Sequence, residues 1–421
     1  MRQIDLHLRR LYRATFLFGM ACGMSLAMTS IHLDARGYGK QDIGTLAIFF
    51  ASGLALFAIP VGALIQRFSG KRVLLAAMLG YAATVALFPF QPTYKSIALV
   101  RFIDGLCSVA IWVSSESIVL SRAEKEHKAH LTTLYAIWLG SGYVAGSVFA
   151  WGVTHFFTRE TTFLIAAGLA LVSAAYIALQ VPVDTLGRSN APTEEKAQAQ
   201  AQVGEGEGDA KPSSALSILW RIKTSCFAMY SYGYFQSSVV LFLPLYLIET
   251  KGMPAQNTQV LVALFCFGML TCSNIAGRIA DRVGYLRSMR VLAFLGLLCV
   301  LGFVYLDEFW LMYVAVYGAG GAFGSMSGVS LALSGVVTER PDYSRANAIY
   351  NVFYAVGMLM GPPITSAIFQ RYQGKVMLFH FAGLWAAFVL FTVLFMYDDP
   401  SVGGRRRREE AKAARELPAG S

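Results

Sequence analysis

Charge is what this 421-residue chain lacks most: only 14% of its residues are Asp, Glu, Lys or Arg, while 56% are hydrophobic. An ordinary soluble domain carries about 25% charged residues. A chain so poor in charge cannot clothe its own surface in water, which excludes a soluble globular protein. Histidine is scarce, with six residues. The six cysteines (Cys22, Cys107, Cys226, Cys266, Cys272, Cys299) form no CxxC pair and have no histidine at ligand spacing. They read as small apolar residues, so no disulfide framework, metal site or resident cofactor is expected. HExxH, GxSxG, a phosphate-binding loop and paired aspartates inside facing apolar runs are also missing. Those absences weigh against a membrane-embedded enzyme.

Long apolar runs, by contrast, are plentiful. Twelve reach the roughly 20 residues that a bilayer core demands. They cover 11–33, 43–66, 73–91, 96–120, 131–154 and 161–183, then 224–249, 257–277, 288–306, 309–337, 344–370 and 376–397. The first is too long for the apolar core of a signal peptide and leads straight into more spans, so no cleavage is expected. Alternate connections, together with both tails, hold 27 Lys and Arg; the opposite set holds 7, and Arg101 lies within a span. Basic residues mark the cytoplasmic side, which predicts a multi-pass protein of the cytoplasmic (inner) membrane with both termini inside. The net charge of +10 is thus an orientation signal and needs no nucleic-acid partner. Membrane lipid is the expected partner, with Arg405 to Arg408 suited to anionic headgroups.

The chain also echoes itself at an offset of 215 residues. Gly62, Arg67 and Arg72 reappear as Gly277, Arg282 and Arg287, and Tyr135, Gly142 and Gly146 as Tyr350, Gly357 and Gly361. Two unrelated local patterns sharing one offset imply a duplicated membrane unit. An all-α fold of two pseudo-symmetric six-helix bundles follows, at 1–183 and 218–397. Residues 184–217, rich in Ala, Gln, Gly and acidic residues, are expected to be a cytoplasmic linker that cannot order itself. Residues 398–421 form a basic tail.

Twelve spans in two halves, with a GxxxD(R/K)xG loop after spans 2 and 8, resemble the major facilitator superfamily of secondary transporters. The second loop matches at Gly277, Asp281, Arg282 and Gly284, with Arg287 trailing. The first matches at Gly62, Arg67, Lys71 and Arg72, but Gln66 replaces the acid and Ser69 the second glycine. The resemblance implies a conformational latch at Gly62, Arg67, Gly277, Asp281, Arg282, Gly284 and Arg287. Physically, Gly277 would let two helices approach closely, and Asp281 would face the positive N-terminus of a neighbouring helix.

Span 4 carries Arg101, Asp104, Gly105, Ser108, Trp112, Ser115 and Glu116, read as one polar helical face. An ionisable group at membrane depth costs roughly 2.5–3.5 kcal/mol or more unless it meets water or a partner. Arg101 and Asp104, three apart, can pair locally. An acid in an apolar wall can exchange a proton near neutral pH, so Asp104 and Glu116 are both candidates for coupling transport to protons. The alternative makes Arg101–Asp104 a structural pair and Glu116 a snorkelling group. Arg101-x-x-x-Gly105 resembles the family's span-4 RxxxG motif. Ile111-Trp112 with Glu116-Ser117 loosely resembles a bacterial subgroup without assigned substrates.

By analogy with that fold, spans 1, 4, 7 and 10 line a cavity. Met24, Trp112, Tyr232, Gln236 and Tyr317 are the candidate lining residues. Met and aromatic walls suit an amphipathic organic solute better than a sugar. The expected function is alternating-access transport of such a small molecule by a monomer, coupled to protons and leaning to efflux. Family exporters that exchange protons show a Gly-Pro pair in span 5, whereas here Gly361-Pro362-Pro363 lies in span 11. Uptake or uniport of a small metabolite is therefore the competing expectation, and a non-transporting sensor a remote one.

Overall fold

The computed structural model describes residues 6–122, 128–181, 214–338, 342–372 and 374–396. Among them the chain is all-helical, with twelve helices long and apolar enough to cross a membrane. In chain order α1 to α6 are Leu6–Ala35, Lys40–Phe68, Gly70–Leu87, Tyr94–Arg122, Lys128–Phe156 and Arg159–Gln180. The second six, α7 to α12, are Lys223–Lys251, Gln259–Val283, Tyr285–Tyr305, Phe309–Val337, Tyr343–Tyr372 and Gly374–Leu394. Most of the expected linker and the whole basic tail lie outside the described residues. Residues 215–217, read as linker, instead open a short helix, Ala215–Arg221. The Ser214 side chain caps it by accepting from the Ser217 amide, which gives the first turn a partner that composition does not reveal.

The chain folds into two compact units. One holds α1 to α6 together with Pro254–Ala263; the other holds Ala215 to Met253 and the described residues from Leu264 onward. Within each, helices cross where glycine removes the side chain between two backbones. In the first unit Gly53 of α2 meets the Phe102 carbonyl and Gly105 of α4 meets the Phe50 carbonyl. In the second, Gly268 meets the Tyr317 carbonyl and Gly320 the Phe265 carbonyl. Each of these four residues of the second unit lies 215 positions after its counterpart.

The crossing of α1 with α5 is built the same way. Gly19 meets Leu139 and Gly142, while Gly146 meets Met20; in the second unit Gly233 meets Tyr354, Gly357 meets Tyr230 and Gly361 meets Tyr234. Gly19 and Gly233 are 214 apart, so the register slips by one between α1 and α7. A single-offset comparison of the halves passes over that glycine.

Candidate functional site

The turns after α2 and α8 share one unusual backbone. Ser69 has φ 83° and ψ 146°, and Gly284, its counterpart, has φ 108° and ψ 142°. Glycine adopts such angles freely, whereas a serine there is strained by about 1–3 kcal/mol. Ser69 is buried and its hydroxyl has no hydrogen-bond partner. In the second loop the Tyr285 hydroxyl donates to Asp281 Oδ1 at 2.9 Å, and Asp281, Arg282 and Arg287 are exposed. In the first loop Lys71 is buried and donates to the Ala178 carbonyl at 2.9 Å, tying α3 to the end of α6. Arg67 is exposed with its guanidinium 5.3 Å from the Phe68 ring. The side chain of Gln66 lies outside the described residues.

One expectation for these loops needs correction. Neither Gly62 nor Gly277 sits at a close helix approach, since a Cβ added at either would meet nothing within 4 Å. The tight approaches lie deeper along α2 and α8, at Gly53 and Gly268. The conformational demand on the loops falls on the turn residue itself, Ser69 or Gly284.

On α4 the structure separates what the sequence grouped. Arg101 Nη1 donates to Asp104 Oδ2 at 2.6 Å, and the guanidinium lies 4.4 Å from the Phe50 ring and 5.9 Å from the Phe88 ring. Aromatic faces and a carboxylate thus compensate a cation at membrane depth. Asp104 is 5% exposed, and its Oδ1 has no hydrogen bond of good geometry although Ser108 is close by. Cys22 of α1 and Tyr81 of α3 stand near the same carboxylate. Those two belong to other helices, and no spacing rule along α4 points to them.

Glu116, in contrast, is exposed, and Gly105 packs against α2. The single polar face is therefore corrected to a drifting one. At about 100° per residue, Glu116 lies some 120° around the helix from Asp104. Ser115 is buried and stands near Tyr135 of α5. Trp112 is half-buried, with an indole Nε1 that has no partner.

The candidate cavity residues divide as well. Tyr232 of α7 stacks on Tyr354 of α11, with ring centroids 6.1 Å apart and planes 21° apart. The Tyr354 hydroxyl donates to Gln236 Oε1 at 3.1 Å, and the Gln236 amide nitrogen makes no hydrogen bond among the described residues. Tyr354 was missed because it lies on span 11, outside the four helices assigned to the cavity. The Gly233 crossing brings it there. Tyr317 is not part of this group. It shares a 2.9 Å hydrogen bond with Thr271, whereas Tyr232 contacts Met269, and two residues along α8 amount to a turn of about 200°. Met24 is fully buried in this structure.

Twelve spans, two units built on one repeated set of crossings, and a buried ion pair at membrane depth define a membrane carrier. The chain belongs to the Major Facilitator Superfamily, whose family model matches residues 11–335. It is 22% identical over 383 residues to an uncharacterized MFS-type transporter of Yersinia pestis (strain Pestoides F), covering 91% of this chain and 94% of that one. The uncharacterized MFS-type transporter YcaD of Salmonella arizonae is also 22% identical, with 89% and 92% covered. Among solved structures, the nucleoside transporter NupG superposes with a TM-score of 0.77 at 13% identity, over 92% of this chain and 99% of that one. A peptide transporter, POT, in complex with sulfate gives 0.73 at 12% identity, over 92% and 94%. At such identities the structures establish the fold alone. Family membership implies secondary transport, and the lipid bilayer and a small-molecule substrate as partners.

Proposed function

We propose that the chain is a proton-coupled carrier of an amphipathic organic solute, working by alternating access. The observation that carries this reading is Asp104. It is a carboxylate buried in an apolar bundle, neutralised through one oxygen by Arg101 and open at the other. Binding a proton at Oδ1 would release Arg101, so protonation and a change in the bundle's interior charge are one event. Glu116 is the weaker candidate because an exposed acid needs no protein partner to change state. Aromatic rings and one amide at Tyr232, Tyr354 and Gln236 suit a solute with a ring and a few hydrogen-bonding groups.

Efflux from the cytoplasm through the inner membrane, by a monomer with both termini inside, is the direction favoured by those apolar walls. Uptake or uniport is the second reading, favoured by the absence of a Gly-Pro pair from span 5. Purified protein in vesicles with an imposed pH gradient tests the proposal, with release or accumulation of a compound panel as readout. Asp104→Asn is expected to abolish gradient-driven movement, and Glu116→Gln to leave it within about twofold of wild type. Full gradient response in the Asp104→Asn protein would rule out the coupling role.

A further inference from the structure

The first unit contains a cavity of about 570 Å³ at the end of the bundle away from Leu6 and Gln180. That volume lies within the range of small-molecule sites. Its walls come from the ends of α1 and α5, the start of α6 and the segment Pro254–Ala263. Gln259 lines the cavity and is 2% exposed; its Nε2 donates to Thr154 Oγ1 at 3.1 Å, and its buried Oε1 has no hydrogen-bond partner among the described residues. A buried amide oxygen left without a donor is costly, roughly what a lost hydrogen bond costs, so a ligand donor is the natural complement.

Opposite charges stand side by side at the rim. Arg159 is exposed, and Glu160 is half-buried with its carboxylate 3.9 Å from His32 Nδ1. The apolar part of the lining includes Met28 and Phe157. A cation, an anion, a buried acceptor and an apolar surface around one space match a molecule bearing both charges and a hydrophobic group. We propose that this cavity binds a small zwitterion with an apolar side chain, of which a free α-amino acid such as leucine is the simplest. Its carboxylate pairs with Arg159, its ammonium with Glu160 and Gln259 Oε1, and its side chain lies on Met28 and Phe157. The site is separate from Asp104 and does not depend on the coupling mechanism, because binding is read without any gradient.

Equilibrium dialysis of the purified full-length chain against radiolabelled L-leucine is the test. Saturable binding is expected. Leucinol, which lacks the carboxylate, and 2-hydroxyisocaproate, which lacks the ammonium, should each compete at least about tenfold more weakly than leucine. Gln259→Leu and Glu160→Gln should each weaken leucine binding by a similar factor while leaving the size-exclusion profile unchanged. No saturable binding up to about 10 mM would overturn the proposal. So would equal competition by the two singly charged analogues, or unchanged affinity in the monodisperse Gln259→Leu protein. If that variant does not fold, the analogue series on the wild-type chain decides alone.

Discussion

Helices α4 and α10 occupy the same place in their two units and do different work. Both cross a glycine-bearing partner at positions 215 apart, Gly105 and Gly320. Both carry a serine near a tyrosine of the next helix, Ser115 by Tyr135 and Ser330 hydrogen-bonded to Tyr350 at 2.8 Å. Yet where α4 has Arg101 and Asp104, α10 has Val316 and Ala319, all but Arg101 buried. The scaffold is therefore shared and the charge is not. A buried ion pair often adds no stability over apolar residues of similar volume, so stability alone does not account for its presence in one half.

The comparison can be broken at its crossings. Gly105→Val and Gly320→Val would each drive a side chain into a neighbouring backbone carbonyl. Both should lose several kcal/mol, beyond the usual 1–3 kcal/mol of overpacking, because backbone cannot yield as a side chain can. Loss of the monodisperse peak in size-exclusion chromatography is the expected readout, equally for both. A large difference between the two would show that the units are not built alike.

Next in size is the ion pair. Asp104→Asn leaves a half-buried guanidinium at membrane depth without its carboxylate and should destabilise by up to about 3–5 kcal/mol. The double change Arg101→Val with Asp104→Ala copies the second unit into the first. It should recover most of that loss in a thermal melt while transport no longer responds to a pH gradient. Recovery of both stability and gradient response would make the pair dispensable.

A smaller effect is expected at the turns. Ser69→Gly relieves a backbone that only glycine adopts at ease and should stabilise by about 1 kcal/mol, whereas Gly284→Ser should destabilise by about 1–2 kcal/mol. Opposite shifts in melting temperature check the pair.

The smallest effect belongs to an ion pair that the matching positions of the first unit, Arg36 and Pro92, cannot form. Lys251 donates to Asp307 Oδ1 at 2.7 Å and to the Leu306 carbonyl at 2.8 Å. The hydrogen bond and charge of Lys251 hold the Asp307 carboxyl below its ordinary value. A depressed carboxylate stabilises above its unfolded pKa of about 3.9, and that contribution fades as pH falls through the lower folded value. Asp307→Asn should therefore lower the melting temperature slightly at pH 7, and the difference should close below about pH 4. A difference that persists in acid would mean the aspartate acts through packing.

Much of the architecture was legible beforehand because a bilayer imposes few and strict rules. Runs of about 20 apolar residues, basic connections on one side and two sets of residues at one offset are written along the chain. Arg101 and Asp104 were legible as a pair for the same reason, being three apart on one helix. Glu116 was grouped with them wrongly because small angular errors accumulate over twelve residues. Tyr354, Cys22 and Tyr81 escaped notice because each comes from a different helix, and proximity between helices is set by packing.

The sequence by itself determined the twelve spans, the duplicated halves, the family and the presence of charge inside the membrane. All of these depend on periodicity and composition, which are local properties. Only the tertiary structure decided which acid is buried and which is exposed, and that Tyr354 completes a group with Tyr232 and Gln236. It alone decided that the glycines making the crossings are Gly53, Gly105, Gly268 and Gly320 and not those of the loops. The reason is geometric: a helix's own sequence fixes the directions in which its side chains point, but what lies in each direction depends on where other helices cross it.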